Sequence, residues 1–235
     1  MYFSQVYVLG SYQPHLVWYL KRILRPGMIC VDAGGNVGYF TLLMAKLVGH
    51  AGRVIAFEPT QHTFDVLREN VRLNDLTNVR VEQLALSDYN GVLQFHEGSP
   101  GFEVYNSAGE ITHPSAAGLN FTTRSVECTT LDSYLSVQGI NTVDVIKLDV
   151  EGAELLVLKG MEETLQANPQ AILIIEFAEQ TTRGFGYSAR DIAVWLEERG
   201  WQLSVIRSFG RVSPSLVDQN WTGQMVIACK SHQSS

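Results

Sequence analysis

The sequence predicts an α/β domain built on a mostly parallel sheet. Short apolar runs alternate with longer runs whose apolar residues recur at helical spacing, the signature of strand–helix–strand units. A glycine-rich loop, DAGGNVG at residues 32–38, joins one such strand to a helix. Four expected strands end in an acid: Asp32, Glu58, Asp149 and Glu176.

The elements follow in order. Residues 14–24 read as a helix with Leu16, Tyr19, Leu20 and Ile23 on one side, stopped by Pro26-Gly27. Residues 28–31 form the first strand, ending at Asp32. Residues 37–48 are helical, with Phe40, Leu43, Met44 and Leu47 at helical spacing. Residues 53–57 are the second strand, ending at Glu58-Pro59; 63–73 are helical; 79–84 are the third strand. Residues 92–96 read as an added strand. Residues 99–123 are rich in Gly, Ser, Asn, Thr and Pro, with Phe102, Tyr105 and Phe121 scattered through them. A loop of that length inside a compact domain is uncommon without a role, so 98–124 is expected to be a substrate-side insertion or lid. Order returns at Val126. A short helix at 130–135 precedes the fourth strand, 143–148, which ends at Asp149. A helix at 153–165 leads to the fifth strand, 171–175, ending near Glu176. After the helix at 189–199, strands at 202–207 and 224–229 are joined by a loop containing Pro214 and Trp221. That last pair lacks a crossover helix, so it is expected to be antiparallel.

Composition narrows the function classes. At 235 residues, 46% hydrophobic and 17% charged, the chain is globular and long enough for one sizeable core. It is expected to be a single domain over 1–235, opening with a helical segment at 1–25. A formal net charge of -7 disfavours non-specific binding to nucleic acid or anionic membranes. The small basic cluster Lys21, Arg22 and Arg25 reads as the solvated end of a helix. Cys30, Cys128 and Cys229 lie in apolar or strand-like runs without metal-type spacing, which suits buried thiols in a reducing compartment. No signal pattern and no membrane-length apolar run are seen, so a cytoplasmic location is expected.

In an open parallel sheet, ligands bind at the carboxyl ends of the strands, near the switch in strand order. Acids at four such ends converge on one crevice. Glu58 lies 20 residues past Gly38, the spacing at which an acid takes the ribose hydroxyls of an adenosine cofactor. A nicotinamide dinucleotide needs G-x-G-x-x-G, with backbone N–H groups facing a pyrophosphate. Here the loop reads Gly34, Asn36, Gly38, with Asp32 two residues before the first glycine. A carboxylate there repels phosphate and favours an ammonium or sulfonium. S-adenosylmethionine carries both.

The chain resembles the FkbM family of S-adenosylmethionine-dependent methyltransferases. The resemblance lies in GSYQP (10–14), PGMICVDAGGNVGYFT (26–41), VIAFEPT (54–60), NVRVEQLALSDYNG (78–91), TTLDSYL (129–135) and VDVIKLDVEGAE (143–154). KLDVEGAE (147–154) is its most family-specific part. The resemblance implies a Rossmann-like class I methyltransferase fold, with a seven-stranded, mostly parallel sheet, one antiparallel strand and helices on both faces. It also implies O-methylation of a hydroxyl on a sugar, glycan or natural-product acceptor. Carried over, Asp32, Gly34, Gly35, Asn36 and Gly38 line the methionine end of the cofactor, with Gly35 standing where the family usually has alanine. Glu58 takes the ribose, the backbone near Ala85 and Leu86 flanks the adenine, and Asp149 faces the methyl. Gln13 stands where the family often has glutamate, which weakens a catalytic role there.

A sulfonium methyl is already activated, so in-line approach does most of the work. An alcohol nucleophile must still lose its proton. Lys147 and Asp149 alternate onto one strand face, and Glu151 follows; these three are the catalytic candidates. Direct carboxylate assistance is the favoured reading. A divalent metal on Asp149, Glu151 and Glu176 is the minority one. Glu154 is expected to start a helix. Tyr12 and Trp18 are candidate cation–π partners, though core packing suits them as well. The six histidines show no ligand spacing, and His96 or His113 acts as a base only if the insertion folds over the cleft. Two competitors stand beside the methyltransferase: an NAD-dependent enzyme, and a catalytically silent cofactor-binding protein.

Overall fold

The computed structural model describes residues 12–98, 106–112, 116, 118–214 and 222–230. Phe102, Tyr105, His113, Trp221 and His232 lie outside the described residues, as does much of the expected 98–124 insertion.

The main sheet has eight strands: β1 (Ile29–Ala33), β2 (Arg53–Phe57), β3 (Val79–Glu82), β7 (Val145–Leu148), β8 (Ile172–Ala178), β9 (Trp201–Ile206), β10 (Val212–Pro214) and β11 (Thr222–Lys230). Their order is β10-β9-β11-β8-β7-β1-β2-β3. β3, β2, β1, β7 and β8 run parallel. β11 is antiparallel to both β8 and β9, as the missing crossover helix requires. The seven expected strands are present. The eighth, β10, forms in the expected loop and pairs antiparallel with the outer side of β9. Pro214 is tolerated there because an edge strand can spare one N–H.

Side chains alternate across the central strands, and both faces are buried. Val31, Ile55, Ile146, Leu173 and Ile175 pack on one side with α4 (Leu131–Gln138), α5 (Glu154–Lys159) and α8 (Ala189–Glu198). Cys30, Val54, Val145, Ile174 and Ile227 pack on the other, with α1 (Pro14–Ile23) and α2 (Tyr39–Val48). α3 (Gln61–Leu73) sends Leu67 and Val71 against Ala56. Cys30 and Cys128 are buried and Cys229 half-buried, all as free thiols. Among the described residues no helix is long and apolar enough to cross a membrane.

Four segments depart from the sequence reading. The third strand stops at Glu82, and Ala85–Leu86 (β4) instead joins a separate three-stranded sheet with β5 (Gly91–Gly98) and β6 (Phe121–Thr129). β6 begins inside the expected insertion. Five of its nine residues are exposed, so apolar alternation is missing and its long antiparallel ladder with β5 holds it. The helix expected at 153–165 is two helices, α5 and α6 (Glu162–Ala167). Gly160 separates them because a Cβ there would overlap the Ser87 carbonyl oxygen. The Asp132 carboxylate then caps α6, accepting from the backbone N–H of Glu163 (3.0 Å) and Thr164 (2.8 Å). Finally, Glu176 lies within β8 rather than past its end.

Leu148, fully buried on the central strand β7, gives a direct check of this core. Leu148→Ala is expected to cost about 2–5 kcal/mol through lost burial and a residual cavity, read as a lower midpoint in urea unfolding.

Candidate active site

Strand order reverses between β7 and β1, so their carboxyl ends splay a crevice open. A cleft of about 1250 Å³, counting its open mouth, lies there. Its wall includes Gly34, Gly35 and Asn36 after β1, Glu58 after β2, Ala85 and Leu86 of β4, Lys147 of β7, Asp149 and Glu151 after β7, and Glu176 of β8.

Register sets the floor. Asp32 and Lys147 are Cα partners across β1–β7, on the face that packs against α2. The Lys147 ammonium lies 3.2 Å from Asp32 Oδ1 and 3.2 Å from Asp149 Oδ2, and 5.4 Å from the Phe40 ring centroid. Thr41 Oγ1 donates to the other Asp32 oxygen at 2.6 Å. Burial alone pushes the Lys147 pKa down, but Asp149 and Asp32 outweigh it and raise it above the usual lysine value. Lys147 therefore stays charged and is a fixed cation rather than a proton acceptor. Asp32 is fully buried with both oxygens engaged. It sits beneath the cleft and is not part of its lining.

The glycine loop is shaped by contact. Gly34 has φ +77, and a Cβ there would overlap the Asp149 carbonyl oxygen. Asn36 is held at φ 47, and its N–H donates to Glu58 Oε2 at 3.0 Å. The other Glu58 oxygen accepts from Thr60 N (3.1 Å) and Thr60 Oγ1 (2.6 Å). Burial raises the Glu58 pKa, while the Thr60 and Asn36 hydrogen bonds oppose the rise. Gly38 does not line the cleft; it starts α2 in the left-handed region.

After β7 the chain turns sharply. Glu151 has φ 52 and Gly152 φ 102. Ser107 Oγ donates to the Glu151 carbonyl at 3.0 Å. Glu154 starts α5, and its Oε1 accepts from Val150 N (3.1 Å) and Gly152 N (3.2 Å). The Tyr187 hydroxyl donates to the Gly152 carbonyl and accepts from Leu155 N at 3.2 Å. The turn that carries Glu151 is thus held by Ser107, Glu154 and Tyr187.

The acids crowd one another. Burial first, then Glu176, Asp149 and Glu154, hold the Glu151 pKa well above the carboxylate range, and Lys147 only partly offsets this. Glu176 is raised in the same way, by burial and then Asp149 and Glu154. Burial pushes Glu154 up to about 7 against its backbone hydrogen bonds. Among the described residues no group of three or more His, Cys, Asp or Glu is placed to hold a metal ion. The Lys147 ammonium already engages Asp149 Oδ2 at 3.2 Å. The trio Asp149, Glu151 and Glu176 does not fit the divalent-metal reading.

The remaining candidates are placed as follows. Tyr12 lines the cleft and meets Tyr39 edge-on at 5.6 Å. Trp18 is 54% exposed and packs on Phe209, away from the site. His96 bonds Thr123 Oγ1 through Nδ1 at 3.1 Å and is not part of the lining. Leu93 and Phe95 of β5, Asn106, Ala108 and Phe185 complete the outer wall. Sequence reading missed these because distant segments bring them together. Thr41 and Thr60 sit inside the quoted motifs, and a hydroxyl near each strand-end acid was the available signal.

Stability should follow the sign of the raised carboxyls. The native state holds protons more tightly than the unfolded chain, so stability is full below about pH 4.5 for Glu154 and falls as pH rises through about 7. Glu154→Gln keeps an acceptor for Val150 and Gly152 and is expected to flatten the loss between those pH values in urea titrations.

Comparison with known proteins places the chain. The Methyltransferase FkbM domain matches residues 32–203. Methyltransferase sdnD of Sordaria araneosa is 35% identical over 156 residues, covering 57% of this chain and 60% of that protein. The 2-O-methyltransferase NoeI of Sinorhizobium fredii is 30% identical over 149 residues, covering 60% of each. The chain thus spans about three fifths of the length of these curated relatives. The crystal structure of methyltransferase FkbM from Methylobacillus flagellatus KT shares the fold, with a TM-score of 0.55 at 15% identity over 88% of this chain and 45% of that one. A family match over well over half of the residues, on a Rossmann-like sheet whose crevice sits at the switch point, makes this chain a member of the FkbM methyltransferase family.

Proposed function

We propose that the chain transfers a methyl group from S-adenosylmethionine to a hydroxyl oxygen of a sugar, glycan or natural-product acceptor. The observation that carries this is the crevice at the β1–β7 switch point, where Asp149 and Glu151 stand beside a glycine loop and Glu58. Bound there, the donor supplies an activated methyl on a positively charged sulfur. The chain supplies the rest. The loop at Gly34, Gly35 and Asn36 takes the amino-acid end, Glu58 the ribose, and Ala85 with Leu86 the base. Asp32 acts from below, fixing Lys147 and Thr41 rather than touching the cofactor. Lys147 fixes the Asp149 carboxylate.

Asp149 and Glu151 orient the acceptor hydroxyl, and a carboxylate of this group takes its proton. Four acids around the cleft are a poor lining for a pyrophosphate, which argues against a dinucleotide. A net charge of -7 supports a small-molecule or glycan acceptor over a nucleic acid. Oxygen as the target is supported by the name of the relative NoeI, a 2-O-methyltransferase.

Mass spectrometry on a panel of polyols should show the gain of one CH2 per transfer, with and without a chelator. No gain on any hydroxyl, with gain on amines or carbons, would falsify the acceptor class. At saturating cofactor, Glu151→Gln is expected to lower kcat by roughly 100-fold or more; an unchanged rate removes Glu151 as the proton acceptor.

A further inference from the structure

The cleft holds more carboxyl groups than the transfer described above uses. β8 places Glu176 on the same sheet face as Ile174, two residues beyond the pairing of Lys147 with Ile174. This brings it abreast of Asp149, whose charge adds to burial in raising the Glu176 pKa. Glu151 reaches the same wall from its left-handed turn, held by Ser107. Both glutamates line the cleft.

The charges facing them are mostly negative. Asp32 comes from β1, Glu58 from the end of β2, Asp149 from the end of β7 and Glu154 from the start of α5; the Tyr187 phenol, its pKa raised by burial, adds no charge. The one ammonium, Lys147, is already shared between Asp32 and Asp149. Among the described residues no cation pairs with Glu151 or Glu176. A second sign of missing positive charge lies alongside. Glu154, 1% exposed and electrostatically coupled to both, has one carboxyl oxygen without a hydrogen-bond partner. Acids gathered on one wall with a single shared cation oppose one another's ionisation, which favours keeping a proton among them.

We infer that Glu176 is a further catalytic carboxyl: with Glu151 it forms a proton-holding pair whose charge answers the charge of the methyl donor. The inference rests on the methyl-transfer reading above. When the sulfonium enters, its positive charge replaces the shared proton, which leaves to solvent. The acceptor oxygen then bonds to the methyl carbon. The sulfur–methyl bond breaks with its electron pair on sulfur, and the hydroxyl proton passes to the pair. One positive charge is lost at sulfur and one proton is gained on the carboxylates, so the crevice ends with the net charge it had. A neutral thioether product leaves the pair protonated, and the next donor discharges that proton.

Calorimetric titration needs no acceptor to test this. S-adenosylmethionine and S-adenosylhomocysteine are titrated near neutral pH in phosphate and in Tris, whose ionisation enthalpies differ, so the buffer dependence counts protons. The two ligands share their nucleoside and amino-acid groups, so those contributions cancel. Methionine-form binding should release more protons than homocysteine-form binding, by a difference approaching one. In Glu176→Gln and in Glu151→Gln that difference should collapse towards zero. Equal counts in the unmodified protein overturn the inference, and that comparison stands even where a variant fails to fold. A difference that survives Glu176→Gln overturns the role of Glu176. Failure of either ligand to bind overturns the cofactor reading itself, and this inference with it.

Discussion

Lys147 is the hinge of the structure. One buried ammonium on β7, 3.2 Å from a carboxylate of β1 and 3.2 Å from the one just past the end of β7, fixes what lies under and around the crevice. Such a group is expensive to desolvate and is held only because two acids and the Phe40 ring surround it. Removing one partner of a buried pair typically costs about 3–5 kcal/mol, since the other charge is stranded. The arrangement is therefore poor economy for stability alone. Its effect is positional. It locks the end of β1 to the end of β7, where strand order reverses, and leaves Asp149 fixed at the cleft wall.

From that anchor the rest follows by contact. Gly34 must be glycine because the Asp149 carbonyl occupies the space a Cβ would need. Asn36 turns back so that its N–H meets Glu58, tying the loop after β1 to the end of β2. Glu151 adopts a left-handed backbone held by Ser107, while Glu154 and Tyr187 satisfy the turn beside it. The acids are then brought together faster than cations can match them. A pocket so built discriminates by charge: it disfavours a diphosphate and favours a cationic ligand.

Much of this was legible in the sequence. Helical periodicity and strand-end acids gave the alternating layers, and the missing crossover helix gave the antiparallel β11. Glu58, Asp149 and the glycine loop were placed at the crevice by the geometry of parallel sheets. What failed was orientation. Asp32 reads like its fellow strand-end acids, but its register opposite Lys147 turns it beneath the floor, a relation only strand pairing reveals. β6 was hidden because its residues are mostly exposed and show no apolar alternation. Gly160 carried a visible signal for the break between α5 and α6, yet its cause, the approach of Ser87, comes from a distant segment. Ser107, Phe95 and Phe185 reach the site through pairings too remote in sequence to be read locally.

The central claim is that the crevice is matched to a cationic adenosine donor by its surplus of carboxylates. Its most direct measurement is a crystal structure of the chain grown with S-adenosylmethionine and NAD in competition. The account predicts the methyl donor between the glycine loop and Glu58, with its sulfur towards Asp149 and Glu151. A dinucleotide in that position, or a donor bound elsewhere on the sheet, would contradict it.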